Sequence, residues 1–158
     1  MDSGEYIKIA EKYIDTVYRA AYSYCKNKED AEDAVQNVFM KLMTADTEFT
    51  DDEHIKRWLI RCVINECKNN YGSFWHRNKV SLEDMTTEPS YSDKTEQTSE
   101  IMTAVMKLPK NYSTVIHLYY YEGYDVKEIS GIMGISESNV QIRLMRARNK
   151  LKTILKEA

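Results

Sequence analysis

Apolar residues recur at helical spacing in three segments of the N-terminal half of the chain. The segments read "YIDTVYRAAYSYC", "EDAEDAVQNVFMKLM" and "DEHIKRWLIRCVINECKNNY". The pattern is interrupted near Asn27 and again by a polar stretch from Thr44 to Glu53. Because each segment presents an apolar stripe, the pattern predicts three helices that share one core.

The second of these helices is predicted to have two different faces. The apolar stripe that we expect to face the core consists of Ala31, Val35, Val38 and Leu42. Helical spacing places a second set together on the outside, namely Asp33, Gln36, Asn37 and Met40. An outward Met among polar side chains favours a protein contact surface. A face that is only solvated is the alternative.

Capping and turn residues divide the C-terminal part of the chain into four predicted helices. Pro109 begins a helix, and Gly123 ends it after "VIHLYYYE". Asp125 caps the next helix, "VKEISGIM", which stops at Gly134. Ser136 then caps a long last helix that is rich in Lys and Arg. Two helices joined by a tight turn containing Gly, with the second helix basic, are typical of a helix-turn-helix.

The last helix combines a core stripe with an opposite face suited to DNA. The predicted core stripe is Val140, Leu144, Ala147, Leu151 and Ile154. The residues that point away or flank that direction are Ser138, Asn139, Gln141, Ile142, Met145 and Arg146. The amides of Asn139 and Gln141 can pair with base edges. Ile142 can contact a thymine methyl, and Arg146 can reach a guanine or a phosphate. A bundle helix with a basic solvent face is the alternative.

The third N-terminal helix carries a polar and basic row that is suited to phosphates. The row consists of Arg57, Arg61, Asn65 and Lys68, opposite an expected buried stripe of Ile55, Trp58, Leu59 and Cys62. The run "YGSFWHRNK" from Tyr71 to Lys79 follows, and in it aromatic residues alternate with bases. This composition favours stacking on a separated DNA strand. Core positions for Phe74 and Trp75 are the alternative.

Charge is segregated along the chain, although the formal net charge is only -3. Residues 1–54 hold six Lys and Arg against thirteen Asp and Glu, and residues 55–80 hold six against one. Residues 81–100 hold one against six, and residues 101–158 hold nine against five. Two basic blocks in separate helical regions favour a long polyanion as partner, and solvated faces are the alternative.

The 158-residue chain is predicted to be all-α, with two small helical domains joined by a flexible acidic linker. Only five Gly and two Pro favour helices over a turn-rich β architecture. The stretch between the domains is rich in Ser, Thr, Glu and Asp and lacks apolar periodicity. We place the N-terminal domain at residues 1–77, the linker at 78–99 and the helix-turn-helix domain at 100–158.

The sequence does not favour a metalloprotein, an enzyme or a membrane protein. Cys25, Cys62 and Cys67 lack metal-ligand spacing and the three His are scattered, so no metal site is expected. No paired carboxylate motif lies near the basic faces, so we expect no catalytic residues, no cofactor and no small-molecule substrate. No apolar run approaches the ~20 residues of a membrane span, and the N-terminus lacks a signal-peptide core. A cytoplasmic protein is expected.

The run "LPKNYSTVIHLYYYEGYDVKEISGIMGISESNVQIRLMRARNKL" resembles region 4 of bacterial sigma factors, particularly the extracytoplasmic-function (ECF) group. The Leu-Pro opening, "YYEG", "EI", "GIS" and "RLMRARNKL" occur in the family's order and spacing. The resemblance implies that the last helix reads the minus-thirty-five promoter element in the major groove. It assigns contacts to Ser138, Asn139, Gln141, Ile142, Arg143 and Arg146. The family often has Lys in place of Gln141 and a small hydroxyl residue in place of Ile142, so the promoter preference is expected to differ.

The N-terminal helices resemble region 2 of the same family. "DAEDAVQNVFMKL" is similar to region 2.2, which implies that Asp33, Gln36, Asn37 and Met40 bind the clamp helices of the RNA polymerase largest subunit. "HIKRWLIRCVINECKNN" is similar to regions 2.3 and 2.4, which read and open the minus-ten element. The implied DNA contacts are Arg57, Arg61, Asn65, Lys68 and Tyr71. The loop from Thr44 to Glu53 is expected to form a pocket for a flipped base.

The resemblance therefore implies a sigma factor that binds core RNA polymerase, at the clamp helices and the flap, and promoter DNA. Such a protein would direct initiation for a stress or envelope-response regulon. It also implies an inhibitory anti-sigma factor, often membrane-bound in this family. A stand-alone helix-turn-helix regulator is the alternative. The aromatic and basic run from Tyr71 to Lys79 argues against that alternative, since a repressor has no need to hold single strands.

Overall fold

The computed structural model describes residues 1–78 and 96–157, with side chains described for residues 1–69 and 100–156. Regular structure in these ranges is helical throughout, which confirms the predicted all-α class. The helices are α1 (Ser3–Cys25), α2 (Lys28–Met43), α3 (Asp52–Asn78), α4 (Glu96–Met106), α5 (Lys110–Ile116) with a following π-helical turn (His117–Tyr121), α6 (Val126–Met133) and α7 (Glu137–Glu157). The chain divides into two compact units, residues 1–80 and 81–158.

Local side-chain contacts determine how α1 passes into α2. Lys26 has a left-handed φ of 62°, and its N–H donates to the carbonyl of Tyr22 at 2.9 Å, which ends α1. Asn27 then begins α2, because its Oδ1 accepts the N–H of Asp30 at 2.8 Å. The Asn27 Nδ2 also donates to Asp30 Oδ2 at 2.8 Å. A cap of this kind stabilises a helix by about 1 kcal/mol. The predicted interruption near Asn27 is therefore a two-residue turn.

The core of the first unit lies between α1, α2 and α3, each of which packs against the other two. All four residues of the predicted α2 stripe are buried. On α3, Ile55 and Leu59 are buried as predicted, but Trp58 and Cys62 are only half-buried. The deepest positions of α3 are Leu59, Ile60, Val63, Ile64 and Cys67. The buried face of α3 is wider than one stripe because this helix packs against two neighbours at once.

The second unit is organised around α7, which packs against α4, α5 and α6. Its most deeply buried side chains include Leu108, Val115, Leu118, Ile129 and Val140. The helix that begins after Pro109 does not remain α-helical as far as predicted, since its last turn is π-helical. This wider turn places His117 Nε2 3.1 Å from Glu122 Oε2, and both side chains are almost fully buried. The pairing satisfies two polar groups that burial would otherwise destabilise.

The helices extend further into the predicted linker than expected. The backbone of α3 is helical to Asn78, and α4 begins at Glu96, so residues 96–99 are helical where a linker was predicted. Residues 79–95 lie outside the described residues. The linker prediction for that stretch, and the domain boundaries drawn from it, stay a prediction.

Candidate DNA and polymerase interfaces

Capping groups build the turn of the helix-turn-helix. At the start of α6, Asp125 Oδ1 accepts the N–H of Glu128 at 2.8 Å, and Glu128 Oε1 accepts the N–H of Asp125 at 3.1 Å. The helix ends at Gly134, whose φ of 69° is left-handed. Ser136 Oγ then accepts the N–H of Asn139 at 3.1 Å and begins α7. The caps lie where the sequence predicted them, and they set the direction in which α7 leaves the turn.

The two faces of α7 are divided as the sequence predicted. Val140, Leu144 and Ala147 are buried, whereas Leu151 and Ile154, further along the helix, are half-buried. The predicted DNA-contacting residues Ser138, Asn139, Gln141, Ile142 and Arg146 are exposed, and Arg143 is half-buried. Ile142 and Met145 are 40% and 53% exposed. Two large apolar side chains in water on a basic helix indicate a contact face.

A basic groove runs along one side of this face. Its α7 wall consists of Asn139, Ile142, Arg143, Arg146 and Lys150, and its other wall consists of Pro109, Asn111 and Tyr112 at the start of α5. Three cationic side chains over a groove with amide and phenol groups suit a phosphate chain. Asn111 and Tyr112 were not predicted from the sequence. Lys150 was also not among the predicted DNA contacts. Its spacing of four residues from Arg146 and seven from Arg143 places it on the same side of the helix, and this spacing could have assigned it to the groove.

Arg148 lies on a different side of α7 from the groove. Its Nε donates to the Tyr120 hydroxyl at 2.7 Å. Its guanidinium also lies 5.6 Å from the ring centroids of both Tyr119 and Tyr120. Cation–π and hydrogen-bond contacts therefore hold this arginine against its own domain. Arg148 and Arg146 have the same charge on the same helix but different surroundings.

The predicted DNA row of α3 is on one face of that helix. Arg57, Arg61 and Asn65 are exposed and Lys68 is half-buried. Tyr71 belongs to α3 by its backbone, but its side chain lies outside the described residues. The face combines three cations with one amide over about three helical turns.

The loop before α3 is anchored to that helix by an aromatic side chain. Phe49 packs edge-on against Trp58, with centroids 5.6 Å apart, and against His54 at 5.2 Å. Asp51 Oδ1 accepts the N–H of His54 at 2.8 Å and caps the helix. Because Phe49 holds the centre of the loop, the exposed neighbours Glu48 and Thr50 are kept beside the start of α3.

The outward face of α2 shows a mixture of exposed and paired groups. Gln36 and Met40 are exposed, the latter by 58%, while Asp33 is half-buried. Asn37 is exposed, but its Nδ2 donates to Glu66 Oε1 on α3 at 3.0 Å. The sequence therefore placed these four residues on one side correctly but did not reveal the link to α3. It also did not single out Met43, which is 64% exposed at the end of the same helix.

Glu66 is the buried group that joins α2 to α3. It is 8% exposed, and its second oxygen accepts from Lys41 Nζ at 2.8 Å. Both oxygens of this carboxylate are therefore paired with residues of α2. A buried carboxylate with two donors orients the helices that supply them.

Neither a metal-binding cluster nor a membrane-spanning helix occurs among the described residues. Within them, no group of three or more His, Cys, Asp or Glu side chains is arranged to hold a metal ion. None of the helices in the described part of the chain has both the length and the apolar character of a membrane span.

Two family models match the chain. The sigma-70 region 2 model matches residues 9–77, and the sigma-70 region 4 model matches residues 98–151. The ECF RNA polymerase sigma factor SigM of Bacillus subtilis is 30% identical over 154 residues, covering 93% of this chain and 93% of that protein. The RNA polymerase sigma factor SigV of the same organism is 30% identical over 134 residues, covering 82% of this chain and 78% of that protein.

Solved structures share the fold. The sigma factor RpoE from Bartonella quintana, in complex with the anti-sigma factor NepR, has a TM-score of 0.72 at 20% identity, covering 96% of this chain and 97% of that chain. CnrH, in complex with the cytosolic domain of CnrY, has a TM-score of 0.66 at 22% identity, covering 99% of this chain and 90% of that chain. A stand-alone regulator is not favoured, because region 2 accounts for the N-terminal helices. The chain belongs to the ECF family of RNA polymerase sigma factors, the proteins that direct promoter-specific initiation of transcription.

Proposed function

We propose that this sigma factor divides its task among three surfaces, one for core RNA polymerase and one for each of two promoter elements. The observation that carries the proposal is the outward face of α7. There a helix-turn-helix with defined caps positions α7. The exposed polar and apolar side chains of α7 lie beside a groove lined by Arg143, Arg146 and Lys150. A surface of this composition suits the edges of base pairs and the adjacent phosphates together.

The minus-thirty-five element is read by α7 in this proposal. Asn139 and Gln141 pair with base edges, and Ile142 covers a thymine methyl, since its exposed apolar surface is at the same level of the helix. Ser138 contributes a hydroxyl at the N-terminal end. Arg143 and Arg146 contact phosphates or a guanine. Lys150 continues the groove towards the C-terminal end of α7 and extends the phosphate contact along the backbone.

The minus-ten element is read by α3 and the loop before it. Arg57, Arg61, Asn65 and Lys68 form one face along the helix, and Tyr71 is assigned by its position in the sequence. Opening this element requires a base to leave the stack, which costs a few kcal/mol that a pocket must return. The segment from Thr44 to Glu53 was predicted as a loop, and its last two residues belong to the first turn of α3. It is suited to that pocket because Phe49 fixes it to α3.

Core polymerase is bound by the outward face of α2, which comprises Asp33, Gln36, Asn37 and Met40. The exposed Met supplies apolar area, and the surrounding polar groups supply orientation. In the family the partner of this helix is the clamp helices of the largest subunit, and the flap is a further core-polymerase surface that the sigma factor contacts. Residues 1–54 have an excess of acids, which suits a basic protein partner more than DNA.

The mechanism is a division of affinity between partners. Polymerase supplies the catalysis and most of the contact with DNA, and this protein supplies the sequence preference through two modest domains on one chain. We propose that the sigma factor itself catalyses no reaction. Its partners, polymerase and promoter DNA, are found in the bacterial cytoplasm, and we propose that it acts there.

An anti-sigma factor is a further proposed partner. One structural relative was solved with the anti-sigma factor NepR, and the other with the cytosolic domain of CnrY. The exposed apolar side chains Met40 and Ile142 mark the proposed polymerase and DNA surfaces. An inhibitor that covers either of them would keep the protein from polymerase or from its promoter.

The test is transcription with bacterial core polymerase that has been freed of sigma. Purified protein is added, start sites are mapped across genomic DNA, and wild type is compared with Arg146→Ala and Asp33→Ala. We expect starts that share an upstream element, and Arg146→Ala should reduce their use by roughly tenfold or more. Asp33→Ala should instead weaken polymerase binding measured without DNA.

Matched variants identify the surfaces. Arg148→Ala makes the same charge change on the same helix, outside the groove, and Glu11→Ala removes a carboxylate from an exposed site on α1. Both should retain wild-type start-site use. Equal losses for Arg146→Ala and Arg148→Ala would overturn the proposed DNA face. Equal polymerase affinity for wild type and Asp33→Ala would remove Asp33 from the polymerase surface.

A further inference from the structure

Two thiols from distant parts of the sequence meet in the first unit. The Sγ atoms of Cys25, the last residue of α1, and Cys67, on α3, lie 3.2 Å apart. The third cysteine, Cys62, precedes Cys67 on α3 by five residues, which places it about 140° around the helix. The chain therefore contains one close thiol pair and one thiol that points elsewhere.

The geometry suits a covalent bond between the two sulfurs. A disulfide has an S–S length of about 2.05 Å, so atoms that start 3.2 Å apart need to move by only about 1.1 Å. Cys25 is the last residue of α1. The backbone leaves the helix directly after it, at Lys26, which has a left-handed conformation. Bond formation between these positions therefore requires a small side-chain and helix-end adjustment within the folded unit.

The surroundings give the two thiols different roles. Cys67 has no exposed surface, whereas Cys25 is half-buried. The hydrogen bond with Cys25 raises the pKa of the Cys67 thiol, and burial and the nearby carboxylates of Glu66 and Asp30 raise it further. An oxidant arriving from solvent therefore meets Cys25 first, and Cys67 is protected until Cys25 has reacted.

We propose that Cys25 and Cys67 form a redox site that hydrogen peroxide converts reversibly into an intrachain disulfide between α1 and α3. The Cys25 thiol loses its proton, and the thiolate attacks one oxygen of the peroxide. The O–O bond breaks, Cys25 becomes a sulfenic acid, and the leaving hydroxide takes up that proton and departs as water. The Cys67 sulfur then attacks the Cys25 sulfur. An S–S bond forms, the S–O bond breaks, and the departing hydroxide takes the Cys67 proton as a second water. A dithiol reductant restores both thiols.

The disulfide would act as a covalent link within the first unit. It joins residues 42 apart in the sequence and so restricts the unfolded chain. Both cysteines are close in sequence to proposed functional segments. Asn27, two residues after Cys25, caps the proposed polymerase helix α2. Lys68, the residue after Cys67, belongs to the proposed DNA face of α3. Oxidation should therefore stabilise the first unit, which carries the proposed polymerase and minus-ten surfaces. The melting temperature of this unit should rise by roughly 5 °C or more.

The test uses the full-length protein, reduced and then treated with hydrogen peroxide in native buffer. Intact mass and peptide mapping of wild type should show the loss of two hydrogens, one peptide that joins residues 25 and 67, and full reversal by dithiothreitol. Cys62→Ala should form the same link, and its melting temperature should rise on oxidation as that of wild type does. In Cys67→Ala, dimedone should label Cys25, because the sulfenic acid has no resolving thiol.

Several outcomes of the wild-type peptide map, made once in native buffer and once in denaturant, would overturn the proposal. These are a link to Cys62, a link between two chains, a 25–67 link that forms only in denaturant, and oxidation of Cys25 to a sulfinic acid while Cys67 stays reduced. Circular dichroism of the Cys67→Ala protein verifies its fold before the dimedone result is used.

Discussion

Asn37 of α2 donates a hydrogen bond from Nδ2 to Oε1 of Glu66 on α3, over 3.0 Å. The other oxygen of this carboxylate accepts from Lys41, so a single buried group ties together the helix proposed to bind polymerase and the helix proposed to bind the minus-ten element. A sigma factor has to engage polymerase and DNA in one geometry. Glu66 connects the two proposed surfaces physically, because its carboxylate on α3 is held by two residues of α2.

Replacement of Glu66 by Ala should lower the free energy of unfolding by about 1–3 kcal/mol, because Asn37 and Lys41 lose a buried acceptor. Urea unfolding of the full chain measures this loss. A double-mutant cycle with Asn37→Ala should give a coupling of roughly 0.5 kcal/mol or more. Glu48→Ala, which removes an exposed loop carboxylate, should change stability by less than about 0.5 kcal/mol. Additive effects in the cycle would show that the observed hydrogen bond contributes nothing measurable.

Replacement of Arg143 by Ala should weaken promoter binding by the holoenzyme for all sequences alike. Arg143 lines the basic groove, and loss of one phosphate contact lowers the slope of log affinity against log salt by about one. Gln141→Ala should instead cost about 1–3 kcal/mol on the preferred promoter and relax the preference at one base pair. Binding measured from about 50 to 200 mM salt on matched and mutated promoters separates these effects. A sequence-specific loss for Arg143→Ala would assign it to base contact.

Much of α7 was predictable because its signals are local. The 3.6-residue period placed Val140, Leu144 and Ala147 in the core, and the structure buries all three. Asp125 and Ser136 were predicted as caps, and both accept the expected backbone N–H groups. Capping and periodicity depend on residues within one or two turns of each other, so a single sequence contains them in full.

The remaining features depend on contacts between distant segments. Asn111 and Tyr112 join the basic groove only because the start of α5 lies beside α7. The Cys25 and Cys67 thiols meet only because the end of α1 packs on α3. Trp58 also depends on a contact from outside its own helix. Periodicity assigned this side chain to the core, but it is half-buried, and Phe49 from the preceding loop packs against it. No spacing rule within one helix contains this information.

Gly131 inside α6 and Gly134, which ends this helix, should respond to Ala with opposite signs. Gly134 has a φ of 69°, a conformation that costs L-residues roughly 1–2 kcal/mol, so Gly134→Ala should destabilise the second unit by about 1 kcal/mol. Gly131 is exposed inside the helix, and a methyl group there meets no atom within 4 Å. Gly131→Ala should therefore stabilise by about 0.5–1 kcal/mol. Thermal unfolding of both variants provides the comparison, and a stabilising Gly134→Ala would contradict the left-handed cap.

Tyr18 should make the first unit sensitive to alkaline pH. Burial raises the pKa of this phenol to about 12, with smaller contributions from Tyr22 and Glu32. Above the ordinary pKa of about 10, the unfolded chain loses the Tyr18 proton while the folded chain keeps it, so stability falls as pH rises from about 10 to 12. Tyr18→Phe should lose less stability than wild type over this range. The difference should be well under about 1.4 kcal/mol per pH unit, because the Tyr18 side chain is only half-buried and solvent screens part of the effect. Urea unfolding at pH 8, used as the reference, and at about pH 11 measures the difference between the two proteins. An identical loss of stability in wild type and Tyr18→Phe would show that the phenol ionises equally in the folded and unfolded chains.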